Sequence, residues 1–184
     1  DVALSGGPGE GDLAILLGST SAGKSSFLVH ASVVAIKSGM NVLYITLEDS
    51  VRQILEKSRC AIMGESKPTT TAWLKVRKKL TAELNVIGTG PRCFSLLDLD
   101  AALDRFPKTK MCCVDYADYL EDEDGLSADS YQRLGRLYDG MKQIARLRKI
   151  LVWTVSQVNR TAYDSPTVDI HHVEGSLKKG FIAD

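Results

Sequence analysis

The feature that most constrains this chain is the segment Gly18-Ser-Thr-Ser-Ala-Gly-Lys-Ser25, which matches the pattern G-x-x-x-x-G-K-[ST] at every defined position. A short apolar run over 13–17 precedes it, and apolar residues at helical spacing follow it. A strand, a glycine-bounded turn and a helix in this order let successive backbone N–H groups converge on one anion, and the helix dipole adds positive potential. The motif therefore predicts a P-loop that binds the phosphates of a nucleoside triphosphate.

The residues of this loop have separable expected roles. Gly18 and Gly23 let the backbone curl around a phosphate. Lys24 is expected to reach the β- and γ-phosphates and to act in catalysis, and the Ser25 hydroxyl is expected to hold Mg²⁺. The alternative is a small-residue turn that only joins a strand to a helix, which the suitable flanks disfavour. The predicted nucleotide-binding set is Gly18, Ser19, Thr20, Ser21, Ala22, Gly23, Lys24, Ser25 and Ser26.

Short apolar runs alternate with helical patterns along the rest of the chain. Strands are predicted over 13–17, 41–47, 84–87, 111–114 and 150–155. Helices are predicted from the P-loop to about Ser38, from Ser50 to about Met63, over 73–80 and 96–106, and from Ser127 or Asp129 onward, with one further turn over 175–180. This alternation predicts an α/β fold with a mostly parallel central sheet and helices on both faces.

Charge and composition exclude little by themselves. The chain has 23 basic and 23 acidic residues, so its net charge indicates neither a nucleic acid nor a membrane. The basic residues of the last long helix, Arg133, Arg136, Lys142 and Arg146, are expected to form a solvated face. The cysteines predict reduced, partly buried thiols, and no histidine has a partner at metal spacing. No apolar stretch has the length of a membrane span, so we expect a cytoplasmic protein without membrane contact.

Three polar residues at the ends of predicted strands are candidates for hydrolysis. Asp115 follows four apolar residues, a pattern typical of an aspartate that orients Mg²⁺. Asp118 is the other candidate for this role, and the alternative for Asp115 is that it only caps the loop that follows. Glu48 is the better candidate for orienting the attacking water, and Asp49 is the other candidate acid. The alternative for Glu48 is that it only interacts favourably with the dipole of the helix that follows. Gln157 cannot act as a base, but it can bond the γ-phosphate and move when that group leaves. Parallel strands place their carboxyl ends along one rim, so we expect these residues to meet the P-loop there.

With these residues placed, the sequence resembles the RecA-like ATPase domain of DnaB-type hexameric replicative helicases, especially phage versions. The matching segments are Gly7 through Asp12 leading into the P-loop, Thr46-Leu-Glu-Asp-Ser50, Val114-Asp-Tyr116, Ser156-Gln-Val-Asn-Arg160 and the stretch 175–184. The resemblance implies a RecA-like P-loop NTPase that uses ATP and Mg²⁺ at the subunit interfaces of a ring on single-stranded DNA. It also implies that Glu48 activates water, that Asp115 serves Mg²⁺, and that Gln157 couples the γ-phosphate to a DNA-contacting loop.

The chain departs from that family's pattern in three respects. The arginine finger, supplied by a neighbouring subunit, is expected on strands beyond residue 184; no residue here can be assigned that role, although Lys178 and Lys179 could reach a neighbour. The loop after Asp115 is acidic over 121–125, which is unusual for a segment that faces DNA. We also find no segment in the 184 residues that resembles the amino-terminal domain of bacterial members. We therefore expect one RecA-like domain over 1–184, cut from a longer chain, that binds ATP and hydrolyses it slowly in isolation.

Other functions remain open at this point. A RecA-like or KaiC-like ATPase of recombination or signalling would share the same motifs. A nucleotide-binding assembly module without catalytic duty would need only the P-loop. The sequence does not decide whether a primase is attached or bound, and nothing in it indicates the acceptor pocket of a small-molecule kinase.

Overall fold

The computed structural model describes residues 7–19, 22–89, 91, 93–121 and 130–157. Strands and helices alternate along these ranges, so the predicted α/β class is confirmed. A short 3₁₀ helix, Ala117–Tyr119, follows the fourth strand. The elements are β1 Leu13–Gly18, α1 Lys24–Lys37, β2 Val42–Thr46, α2 Val51–Met63, α3 Thr70–Arg77, β3 Leu84–Gly88, α4 Leu96–Arg105, β4 Met111–Asp115, α5 Ser130–Arg148 and β5 Leu151–Gln157.

The strands form one five-stranded sheet in the order β1-β5-β4-β2-β3, and every neighbouring pair is parallel. All carboxyl ends therefore lie along one rim. The register sets Gly18 opposite Gln157 and Thr46 opposite Asp115 at that rim. Segments far apart in sequence thus end side by side.

Both faces of the sheet are covered, and the strand residues divide between the two faces with a period of two. On β2, Tyr44 belongs to an apolar cluster with α1 and α2, whereas Leu43 and Ile45 belong to a cluster with α4 and α5. On β4, Cys113 and Cys112 divide in the same way. The continuous apolar runs of the sequence arise because each strand needs apolar side chains on both sides.

Helix caps explain most of the observed boundaries. The predicted cap at Ser50 is confirmed, because its hydroxyl accepts from the backbone N–H of Gln53 and the Gln53 side chain bonds back to the Ser50 N–H. The same helix ends at Gly64 in the left-handed conformation. The prediction of α3 over 73–80 is wrong by a turn, because the Thr69 hydroxyl accepts from Ala72 N and starts the helix earlier.

Two further expectations need correction. β5 includes Gln157, which the sequence reading put after the strand, because pairing with β1 continues to that residue. The basic residues of α5 are not a uniformly solvated face: Lys142 is only 7% exposed, and Arg133 donates to the carbonyl oxygens of Asp118 and Leu120. The stems of such long side chains pack well on apolar surface, which the helical pattern alone does not reveal.

The cysteines are all free thiols, as expected, although Cys93 is exposed whereas Cys112 and Cys113 are buried. None of the helices within the described ranges is long and apolar enough to cross a membrane. Several predictions fall outside the described residues: the start of the last helix at Ser127 or Asp129, the acidic loop after Glu121, and the turn over 175–180.

Candidate functional site

The start of α1 is built to receive an anion. Gly23 precedes it in the left-handed conformation, with a φ of 82°, and no side chain caps the helix. Its first turn also contains no acidic residue. By contrast, side chains cap the starts of α2 and α4, each through a complete capping box. The first backbone N–H groups of α1 therefore keep their hydrogen-bonding capacity and their positive potential for a ligand.

Lys24 folds back across the loop that precedes it. Its Nζ donates to the carbonyl oxygens of Gly18, at 3.1 Å, and Ser19, at 2.7 Å. A Cβ added at Gly18 would lie 3.3 Å from Cγ of Lys24, a tight contact that glycine avoids. The ammonium is thus held at the mouth of the P-loop. The predicted residues Thr20 and Ser21 lie outside the described residues.

Asp115 and Ser25 form the contact that links the P-loop to β4. The Ser25 hydroxyl donates to Oδ1 of Asp115 at 3.2 Å, and the Tyr44 hydroxyl donates to Oδ2 at 2.7 Å. Asp115 is only 1% exposed. Burial raises the pKa of the Asp115 carboxyl above its ordinary value, although both hydrogen bonds act in the opposite direction.

This pair fits a magnesium ion. A hydroxyl and a carboxylate oxygen lie side by side next to a phosphate-binding helix start, and Mg²⁺ typically takes one or two protein oxygens together with phosphate oxygens. The part of the chain that the structure describes contains no group of three or more His, Cys, Asp or Glu that could hold a metal by itself. His30 is therefore in no such group, and His171 and His172 lie outside the described residues.

Asp118, the competitor of Asp115, is engaged elsewhere. Its carboxylate accepts hydrogen bonds from Tyr138, at 2.8 Å, and from Ser156, at 3.3 Å. Tyr138 belongs to the apolar cluster of α5 on the opposite side of the sheet from α1. Asp115, not Asp118, is the acid that contacts the P-loop serine.

The predicted residues from the four strand ends converge on one cavity of about 380 Å³. A larger cavity, of about 1010 Å³, lies against α2, α3 and β3, and no predicted site residue lines it. The smaller cavity is lined by Gly23, Lys24, Ser25, Ser26, Glu48, Asp49, Lys57, Asp115, Tyr116, Val155 and Gln157.

The two acids after β2 differ in their surroundings. Asp49 forms an ion pair with Lys57, with 2.5 Å between Oδ2 and Nζ, and its carbonyl oxygen accepts from the Thr46 hydroxyl. The ion pair occupies one carboxylate oxygen of Asp49, which leaves less of that side chain to accept a hydrogen bond from water, so the geometry favours Glu48 over Asp49.

Sequence reasoning missed Tyr44 and Lys57. Lys57 lies eight positions beyond its partner Asp49, and Tyr44 stands 71 positions from its partner Asp115. The available signal for Tyr44 was a hydroxyl-bearing side chain within a strand predicted to be buried on both faces, where a polar group needs a partner.

Comparisons with known proteins agree with this description. Residues 2–167 match the family described as DnaB-like helicase C terminal domain. One similar solved structure is of a DnaB-like replicative helicase and its interactions with primase; it has a TM-score of 0.79 and 12% identity over 97% of this chain and 46% of that one. A second, of an ATPase domain, has a TM-score of 0.81 and 12% identity over 98% of this chain and 70% of that one.

The chain thus spans under half the length of the first of these structures. No curated protein matches it. At such identities the structural likeness shows the fold: a parallel sheet with helices, as in RecA-like ATPase domains. The predicted fold is therefore confirmed.

Proposed function

This chain belongs to the family of DnaB-like helicase C-terminal domains, and on that premise we propose that it is the ATP-hydrolysing motor of a replicative DNA helicase. One observation carries the proposal: Lys24 and Ser25 of the P-loop line the same cavity as Glu48, Asp115 and Gln157. Binding of a nucleotide requires only the first two of these residues. The other three supply the groups that hydrolysis and coupling need.

The phosphates of ATP bind at the start of α1. The free N–H groups of the first turn and the ammonium of Lys24 face the β- and γ-phosphates, with Lys24 exchanging its carbonyl partners for phosphate oxygens. Ser25 and Asp115 hold Mg²⁺, directly or through its waters. When bound, Mg²⁺ supplies positive charge to the oxygens that gain negative charge as the reaction proceeds.

Glu48 orients the attacking water. It lies just after β2, whereas Asp115 ends β4, so it can accept a hydrogen bond from water without competing for the metal. The water oxygen attacks the γ-phosphorus, the bond from that phosphorus to the bridging oxygen breaks, and the water proton passes to Glu48 or to a phosphate oxygen. ADP and phosphate are the products.

Gln157 responds to the presence or loss of the γ-phosphate. Its amide can donate to a phosphate oxygen, and loss of that partner releases the end of β5. The three residues after it, Val158–Arg160, lie outside the described residues and by resemblance lead to a DNA-contacting loop. We further propose that the full protein forms a hexameric ring on single-stranded DNA, receives its arginine finger from a neighbouring subunit, and works with a primase.

The test uses the complete protein and compares Glu48→Gln with the exposed control Glu65→Gln. We expect Glu48→Gln to lower the rate of ATP hydrolysis about 10²–10⁴-fold while leaving ATP binding intact, and the control to match wild type. Single-stranded DNA should stimulate the wild-type rate. Unchanged hydrolysis in Glu48→Gln would remove Glu48 from this role. A wild-type rate that DNA does not stimulate would favour a RecA-like or KaiC-like ATPase of another process.

A further inference from the structure

We propose that Tyr44 is a positioning residue for the metal-binding pair: its hydroxyl holds one oxygen of Asp115, so that the other oxygen stays directed at Ser25. The inference rests on the proposed function, because it concerns how the Mg²⁺ site is kept in shape. It adds a residue of the core of the sheet to that site.

The register of the sheet explains how Tyr44 reaches Asp115. Tyr44 pairs with Cys113 across β2 and β4, and Asp115 lies two residues further along β4, on the same face. With strands about 4.8 Å apart and a rise of about 3.3 Å per residue, such diagonal neighbours are about 8 Å apart, a distance that an aromatic side chain spans. The Tyr44 ring itself is fully buried in the apolar cluster under α1. Packing therefore fixes where the hydroxyl points.

The two oxygens of Asp115 have separate partners. Oδ2 accepts from the buried Tyr44 hydroxyl at 2.7 Å, whereas Oδ1 accepts from Ser25 at 3.2 Å, beside the cavity. Rotation of the carboxylate would break both bonds at once. A short bond from a rigid buried donor fixes the carboxylate more firmly than the longer bond from Ser25. Without the Tyr44 hydroxyl, Asp115 can turn Oδ1 away from the metal position.

The chain contains a matched control for this arrangement. Tyr138 is also fully buried and donates to an aspartate, Asp118, at 2.8 Å. Asp118 does not line the cavity that Lys24 and Asp115 line. Phenylalanine at either position removes a buried hydroxyl that donates to a carboxylate, but only the carboxylate of Asp115 lies at the cavity.

The experiment measures binding of a fluorescent ADP analogue to the complete protein, first in EDTA and then with increasing Mg²⁺. We expect Tyr44→Phe to raise the Mg²⁺ concentration for half-maximal binding about tenfold, as changes to residues behind metal ligands typically do. Affinity in EDTA should stay within about twofold of wild type. Tyr138→Phe should alter neither quantity, and Tyr44→Met, which also lacks the hydroxyl, should repeat the shift and replaces Tyr44→Phe if that variant does not fold.

An unchanged Mg²⁺ requirement in Tyr44→Phe, or a shift of equal size in Tyr138→Phe, would overturn the inference. So would an equal loss of affinity in EDTA, because that loss would indicate a general distortion of the P-loop. A wild-type protein that binds the analogue without any response to Mg²⁺ would refute the proposed function as well, so the two failures are distinguishable.

Discussion

Replacing Thr154 by valine tests whether a single buried hydroxyl holds the segment after Asp115 in place. Thr154 is fully buried on β5. Its Oγ1 donates to the carbonyl oxygen of Val114 at 2.8 Å and accepts from the backbone N–H of Ala117 at 3.2 Å. Valine has nearly the same shape, so it leaves no cavity. It does leave the Ala117 N–H buried without this acceptor.

The expected cost follows from that lost partner. An orphaned buried donor costs about 1–3 kcal/mol, the lost bond to the Val114 carbonyl adds about 1 kcal/mol, and the added methyl group offsets about 1 kcal/mol, so we expect about 2 kcal/mol of lost unfolding free energy. For a chain of this size that corresponds to a fall in Tm of about 4–8 °C. Thermal and urea unfolding measure both quantities, and nucleotide affinity in EDTA should be unchanged.

Thr154→Ser makes the test decisive. Serine keeps the hydroxyl and loses one methyl group, at a cost of about 1 kcal/mol. If the hydrogen bonds dominate, Thr154→Ser is the more stable variant; if apolar packing dominates, Thr154→Val is. A Thr154→Val protein that is as stable as wild type would refute the reasoning.

Two further predictions concern ionisation. Because burial raises the pKa of Asp115, the folded protein without metal takes up a proton more readily than the unfolded chain, so its unfolding free energy falls as pH rises through the folded-state pKa. Asp115→Asn should abolish this slope, and identical slopes in Mg²⁺-free unfolding curves of both proteins would contradict us. Burial also raises the pKa of Cys113 to about 12, so a thiol reagent should label the exposed Cys93 well before Cys113. Mass spectrometry of the labelled protein measures the two rates. Equal labelling of both cysteines in the native protein would show that the strand opens.

The sequence predicted the parts of this site that depend on local pattern. Asp115, Glu48 and Gln157 could be placed because each is a polar residue that ends an apolar run, and parallel strands share a rim. The contact from Tyr44 to Asp115 depends instead on the register between β2 and β4, which no single segment encodes. The same holds for the burial of Lys142, which depends on what packs against α5. The start of α3 differs from the prediction for a local reason: the prediction begins the helix at residue 73, whereas the cap at Thr69 starts it at Thr70.

The sheet itself provides the cleft that these residues share. Pairing between β4 and β5 ends at Val114 and Thr154, whereas pairing between β5 and β1 continues to Gln157. Beyond Thr154 the two strand ends therefore separate, and Asp115 and Gln157 line the cavity from the two sides of that separation. Thr154 occupies the last position at which β5 pairs with β4, and its hydroxyl bonds the backbone on either side of Asp115. If Asp115 holds Mg²⁺ and Gln157 contacts a phosphate, as we propose, the bond from Thr154 fixes the backbone beside Asp115, while the end of β5 beyond Thr154 is not paired with β4.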